Sequence, residues 1–222
     1  MKGKINIYHK QSIMATVQQT TFKAPSTQST MRNRSQYEFL SENNYEKCVE
    51  VYQQGYGITT SEKPFISTFG LGNCIAIVGY CKETHKAFMI HADTHLLIKN
   101  NIGTLYYHLN KANAQTPQIP RVYEMYLFGG NFGDSSEEFA ENIKYEFSKF
   151  NMYWRNKIEI NFHSSYINQN ISNICIDSNT GKFYNIDPHK CILCKNDTFM
   201  KCFEMRCVMN AQTGYETLIK YE

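Results

Sequence analysis

An α/β domain is the fold class predicted by this 222-residue sequence, and three observations predict it. Apolar runs of strand length flank short polar turns at 74–91, 174–184 and 207–219. Two other stretches repeat large apolar residues at intervals of three and four. Ile158, Ile160 and Phe162 alternate with polar neighbours. Paired apolar runs around a turn give antiparallel strands, whereas a three-and-four repeat gives a helix with one buried stripe. At 42% hydrophobic residues the chain is long enough to bury one sizeable core.

The elements follow in chain order. Residues 1–40 carry Lys2, Lys4, Lys10, Lys23, Arg32 and Arg34 against Glu38, a net of +5 in a chain of net charge +3, which leaves −2 for the rest. With Gln18-Gln19-Thr20-Thr21 and a Ser/Thr-rich stretch after Pro25, this is a polar segment without apolar periodicity. Residues 1–44 are therefore expected to be a disordered or loosely attached basic leader, and 45–222 a single domain. The leader has no apolar stretch of signal-peptide length, so the expected location is cytoplasmic and no membrane partner is expected; the leader would also suit translocation into a host cell without a classical signal. The body has no dense basic run interleaved with aromatics, which argues against a nucleic-acid partner.

Within the domain, a helix is expected over 101–114, begun by Gly103-Thr104 and placing Leu105, His108, Leu109 and Ala112 on one face. A strand over 122–128 runs into Gly129-Gly130. Ser135 and Glu138 form a capping box for a helix whose Phe139, Ile143, Phe147 and Phe150 pack on a sheet. Ile158, Ile160 and Phe162 read as a half-buried strand ending in a polar turn at His163-Ser164-Ser165. Hairpins at 174–184 and 207–219 complete the chain. The second belongs to a Cys-rich C-terminal extension, 189–222, that extends the sheet or forms an appendage.

The segment 65–95 carries the chemistry. Residues 74–80 (Cys-Ile-Ala-Ile-Val-Gly-Tyr) and 86–91 (Lys-Ala-Phe-Met-Ile-His) read as two strands of one hairpin. With a four-residue loop at 81–84, Cys74 faces His91 as a cross-strand pair, close enough for an imidazole nitrogen to reach the sulfur. An adjacent imidazole is what turns a cysteine, whose free thiol titrates near ~8.5, into a nucleophile at neutral pH. Gly70-Leu71-Gly72-Asn73 is a flexible approach to Cys74 whose N–H groups, with that of Cys74, suit an oxyanion hole. Thr68 offers a hydroxyl or a carbonyl to the second ring nitrogen of His91.

The strings Thr-Phe-Gly-Leu-Gly-Asn-Cys-Ile-Ala and Phe-Met-Ile-His resemble the Thr/Cys/His constellation of the CheD-type chemoreceptor glutamine deamidases, which share a catalytic fold with the cytotoxic necrotizing factor toxins. Leu127-Phe128-Gly129-Gly130-Asn131 is similar to that family's Phe-Gly-Gly segment, Ala140-Glu141-Asn142-Ile143 to its helix start, and 174–184 to its closing hairpin. Asn73 stands where the family carries serine and Glu141 where it carries arginine. The resemblance implies a layered sandwich of mixed, largely antiparallel β-sheets flanked by helices. It implies protein-glutamine deamidation through a thioester on Cys74, with His91 and Thr68 in support, no cofactor, and a protein substrate presenting an exposed glutamine. The leader and the C-terminal addition suit a toxin or effector acting on a foreign protein.

Two other readings use the same residues. His91, Asp93 and His95 fall at period two, which on a continuing strand would turn three metal-ligating side chains to one face of a hydrolase site. Without a metal, Asp93 and His95 line the cleft mouth. A third reading keeps the fold as a protein-binding module with Cys74 inert. Of the eight cysteines, Cys191, Cys194, Cys202 and Cys207 crowd the tail beside His189 in a partial zinc-like spacing; reduced thiols are the expectation.

Overall fold

The structure, a computed structural model, describes residues 37–114, 121–131, 135–154, 158–192 and 218–222. Short β-branched and aromatic runs before the central hairpin form three strands: β1 (Cys48–Val51), β2 (Gly55–Ile58) and β3 (Phe65–Phe69). The hairpin itself is β4 (Ile75–Cys81) and β5 (Lys86–Ala92). Helix α1 (His95–Ala112), β6 (Arg121–Gly129), helix α2 (Ser136–Trp154) and β7 (Ile158–Ile167) follow, then β8 (Asn173–Asp177), β9 (Phe183–Tyr184) and β10 (Ile219–Tyr221). The expected hairpin at 174–184 is β8 and β9, with Cys175 opposite Tyr184.

Among the described residues these strands make two mixed sheets, ordered β1-β3-β8-β9 and β10-β2-β5-β4-β6-β7. Five of the eight strand pairings are antiparallel, so the expected α/β class with mixed, largely antiparallel sheets is what forms. Strand alternation sets the layers. On β4, Ile75 and Ile77 join Leu97, Leu105, Ile143 and Phe147 under the helices, while Ala76 and Val78 join Val51, Ile66, Ile174 and Ile176 between the sheets. A third cluster, with Tyr45, Phe65, Cys175 and Ile186, covers the outer face of the smaller sheet.

Several boundaries move. Phe39 bridges to Asn185 and the Leu40 N–H donates to the Asn185 carbonyl, so the folded body begins before residue 45; the calls on residues 1–36 lie outside the described residues. Helix α1 starts eight residues earlier than Gly103 because Thr94 caps it, its hydroxyl accepting the Leu97 N–H. Ala112 is exposed, and Leu97, Ile98 and Ile102 extend the buried stripe instead. Buried Asn101 donates to the Leu97 carbonyl and accepts the Leu218 N–H, seating the start of β10. Strand β10 adds to the edge of β2, so residues 219–221 extend the larger sheet. The expected strand at 207–209 lies outside the described residues, as do Gly133 and Asp134.

β7 departs from simple alternation. Met125 pairs with Phe162 but Tyr126 pairs with Ser164, so His163 is an extra residue and the segment 163–165 is strand where a turn is expected. Ile158 and Ile160 are buried as expected, but Phe162 is exposed, with the Lys144 ammonium 4.1 Å from its ring centroid.

The sheets approach closely over Gly57 of β2. A Cβ built there would lie 2.8 Å from Val49 Cγ1 and 3.1 Å from both Val51 Cγ2 and Ile66 Cδ1. Gly57→Val is therefore expected to push β1 away from β2 and to lower stability by roughly 1–3 kcal/mol, the usual cost of overpacking, as read by urea unfolding.

Candidate active site

Hairpin geometry decides which side chains meet. β4 runs one residue further than the sequence suggests, to Cys81, which pairs with Lys86; the loop is 82–85 and closes through His85 at φ +48°. His91 therefore lies opposite Ala76, not Cys74. The slip is two residues, and because side chains alternate with period two it leaves Cys74 and Ala76 on the face that carries His91. Cys74 packs against the cluster between the sheets. It is a diagonal neighbour of His91, a relation that spaces Cβ atoms roughly 7–8 Å apart and within reach of a ring. Cys74 is half-buried, whereas His91 is 4% exposed.

Thr68 reaches His91 from the opposite sheet. Its side chain points inward with that of Ile66, is fully buried, and lies with Oγ1 2.7 Å from His91 Nδ1 and 2.7 Å from the Val51 carbonyl oxygen. Two oxygens at that separation require a proton between them, so the hydroxyl donates to Val51 and its lone pair accepts Nδ1–H. The ring is thereby fixed as the Nδ1–H tautomer, with the proton-accepting lone pair on Nε2. Thr68 thus acts through its hydroxyl and not its carbonyl, and the Val51 carbonyl completes the chain.

The loop before Cys74 is held from the side by the residues after β6. The Gly130 N–H donates to the Cys74 carbonyl at 2.9 Å and the Asn131 N–H to the Gly72 carbonyl at 2.7 Å; the Asn131 side chain donates to the carbonyls of Leu71 and Ile171. Gly129 makes this possible: it sits at φ +102°, and a Cβ there would stand 2.5 Å from the Cys74 carbonyl oxygen. The Gly72 N–H is turned back onto the Gly70 carbonyl at 2.9 Å, so Gly72 does not offer its amide toward Cys74. Asn73, the residue before Cys74 in the chain, is exposed.

Asp93 and His95 separate. β5 ends at Ala92 and His95 opens α1, so the period-two spacing does not continue and the exposed His95 does not share a face with His91. The Asp93 carboxylate instead takes the side-chain amides of Gln53 and Gln54, each 2.8 Å from Oδ2. Among the described residues no group of three His, Cys, Asp or Glu side chains converges as a metal site, which removes the geometry of the metal reading; Cys194, Cys202 and Cys207 lie outside those residues. His163 lies against Tyr126, ring centroids 4.7 Å apart, on the exposed part of β7.

The chain matches no family model, and no curated protein matches it. No helix among the described residues is long and apolar enough to cross a membrane.

The sequence singles out Thr68, Cys74 and His91, which the fold brings to one face, and the string 127–131, but it does not reveal Val51, Gln53 and Gln54 as partners or that Gly130 and Asn131 clasp the loop before Cys74. The glycine pair followed by asparagine at a strand end was the available signal for the clasp; a carbonyl acceptor such as Val51 leaves no trace in residue type.

Two predictions follow from this geometry. Thr68→Val keeps the shape of residue 68 but strands both the Nδ1–H and the Val51 carbonyl in the core, at about 1–3 kcal/mol for each unsatisfied group; urea unfolding should show that loss and Thr68→Ser should largely avoid it. Burial pushes the Cys81 thiol up, and it pushes the Cys175 thiol well up, with the adjacent Cys48 thiol adding to the effect. Raised thiol pKa values mean little thiolate at neutral pH, so iodoacetamide at pH 7 should leave Cys81 and Cys175 unmodified in the folded protein, as read by peptide mapping.

Proposed function

We propose that this protein is a cysteine-dependent protein-glutamine deamidase. The observation that carries the reading is the Thr68–His91 hydrogen bond, which leaves a basic Nε2 on the same face as the half-buried thiol of Cys74. In the proposed reaction His91 accepts the thiol proton and the Cys74 sulfur bonds to the carboxamide carbon of a substrate glutamine. The C–N bond then breaks, and ammonia departs with the proton returned by the His91 imidazolium. Water, deprotonated by His91, attacks the thioester, releasing a glutamate side chain and restoring the thiol. The Cys74 N–H, just before β4, is the donor assigned to the tetrahedral oxyanion.

The resemblance to the CheD-type and cytotoxic necrotizing factor enzymes supports the same reaction through the residues that match: Thr68, Cys74 and His91, with the Phe128-Gly129-Gly130 string bonded to the Cys74 carbonyl. The substrate is a protein with an exposed glutamine. The basic leader supports an effector acting on a foreign protein.

Intact-mass spectrometry of candidate proteins incubated with the enzyme tests reaction and substrate together: deamidation adds about one mass unit per glutamine, whereas capture of an added amine would mark a transglutaminase. Cys74→Ser should abolish the gain with an unchanged circular dichroism spectrum. His91→Ala should slow deamidation by about 10²–10⁴, the span of general acid–base catalysis, and should also abolish alkylation of Cys74 at pH 6 to 7. His95→Ala should stay near wild type. A wild-type Cys74 that alkylates no faster than a small free thiol below pH 8 would sink the mechanism.

A further inference from the structure

A second cavity lies on the helix-covered face of the larger sheet, at the end of β2 and β5 away from His91. Register places it there: His91 is opposite Gly55, whereas Ile58 is opposite Phe88 at the other end of the same ladder, and Lys220 of β10 is level with Tyr56. Tyr56, Ile58 and Phe88 all belong to the cluster under the helices, so Lys220 comes out on that face. Lys86, two residues before Phe88, does the same by strand alternation. The Tyr56 ring lies against His108 of α1, centroids 5.9 Å apart. Where the last turns of α1 meet this corner of the sheet there is a cavity of about 480 Å³, lined by Ile58, Lys86, His108, Lys111, Lys220 and Glu222 among other residues. That volume is within the span of small-molecule sites, roughly 300–1,000 Å³.

Charge at the cavity is unbalanced. Among the described residues its lining carries three lysine ammoniums and one carboxylate, that of Glu222. The carboxylate pairs with Lys220, and the Glu222 main-chain oxygen accepts the Lys63 ammonium at 3.0 Å. Its carboxyl is held below the ordinary value by the hydrogen bond and charge of Lys220, with Lys63 and His108 adding to the effect. An anion of the chain itself is thus already drawn to this cluster. Burial lowers the pKa of His108, and Lys220 and Lys111 lower it further, so both ammoniums bear on that ring. Glu222 answers only one of the three lining lysines: Lys86 has a 3.4 Å contact to the Thr59 carbonyl, and Lys111 has no ion-pair partner among the described residues. Several ammoniums around one space suit an anion with more than one charge and several acceptor oxygens, which a phosphate supplies. Ile58 and Ala112 give the same space an apolar side.

We propose that this cavity binds a small phosphate monoester, its phosphate held by Lys111 and Lys220 beside His108 and its organic part seated against Ile58 under the end of α1. Glu222 competes with the ester for Lys220. The site uses none of Thr68, Cys74 and His91, so it stands or falls apart from the deamidase reading.

Isothermal titration of the full chain tests it, with AMP, phenyl phosphate and ribose 5-phosphate as esters and with adenosine and inorganic phosphate as separate halves. At least one ester should bind saturably with Kd below about 1 mM, and at least about tenfold more tightly than either half. Lys111→Gln and Lys220→Gln should each weaken that ester by about fivefold or more. Lys99→Gln, at an exposed position nearer the start of the same helix, should leave it unchanged. Glu222→Gln removes the competitor and should tighten binding by a similar factor. All of these side chains are exposed, so the variants should melt with the wild type; if Lys220→Gln fails to fold, Lys111→Gln and Glu222→Gln still decide. Vesicles containing phosphatidic acid should not sediment the protein. The assignment is overturned by the absence of a saturable isotherm with all three esters, by equal losses in Lys99→Gln and Lys111→Gln, or by a Glu222→Gln protein that binds no tighter than wild type. Sedimentation with the vesicles and no binding of the soluble esters would overturn it in favour of a lipid headgroup.

Discussion

One hydroxyl joins the two sheets at the place where the chemistry would occur. Thr68 Oγ1 belongs to β3 of the smaller sheet, His91 to β5 of the larger, and the Val51 carbonyl to β1. The bond to Val51 uses the hydroxyl's only proton, so the contact to His91 has one direction, and the ring tautomer is a property of the sandwich and not of the histidine. Everything that sets the sheet spacing, including the missing side chain at Gly57, therefore bears on where the imidazole stands. Breaking such a chain is costly because its members are buried: the partner left behind has no water to turn to.

The second constraint works from the side. Cys74 precedes the first ladder pair of β4, where a strand end would fray, yet its carbonyl and those of Leu71 and Gly72 all take donors from Gly130 and Asn131. The thiol is thus carried on a loop whose backbone groups are spoken for by a neighbouring strand end. Positioning of that kind limits the entropy lost when a reacting atom must be held still.

Much of this was legible in the residues. The apolar runs on either side of 82–85 announced the hairpin, and period two preserved the shared face of Cys74 and His91 even though the register was misjudged by two residues. The misjudgement has a local cause: whether β4 stops at Tyr80 or Cys81 depends on His85 accepting a left-handed φ, which sequence pattern does not reveal. Strands β1 to β3 were missed because four- and five-residue runs buried on both faces have no alternation to read; Cys48–Val51 is buried throughout. The helix start at Thr94 was missed because the polar residues around Lys99 and Asn101 hide an apolar stripe that begins at Leu97. Asp93 looked like part of a ligand series only while the strand was assumed to continue past Ala92.

The irregularity at His163 gives β7 two allegiances. Ahead of it, Ile158 and Ile160 serve the helices; behind it, Tyr166 stacks on Phe128, ring centroids 4.9 Å apart and nearly parallel, on the side of the sheet that carries Cys74. A single inserted residue acts as a phase shifter, reversing the polarity of the strand halfway along its length. β6 steps from Met125 to Tyr126 without a break while β7 steps from Phe162 to Ser164, so residue 163 is absorbed outside the ladder: many side chains would serve there, and a strand shorter by that one residue would alternate regularly and still bring Tyr166 over Phe128.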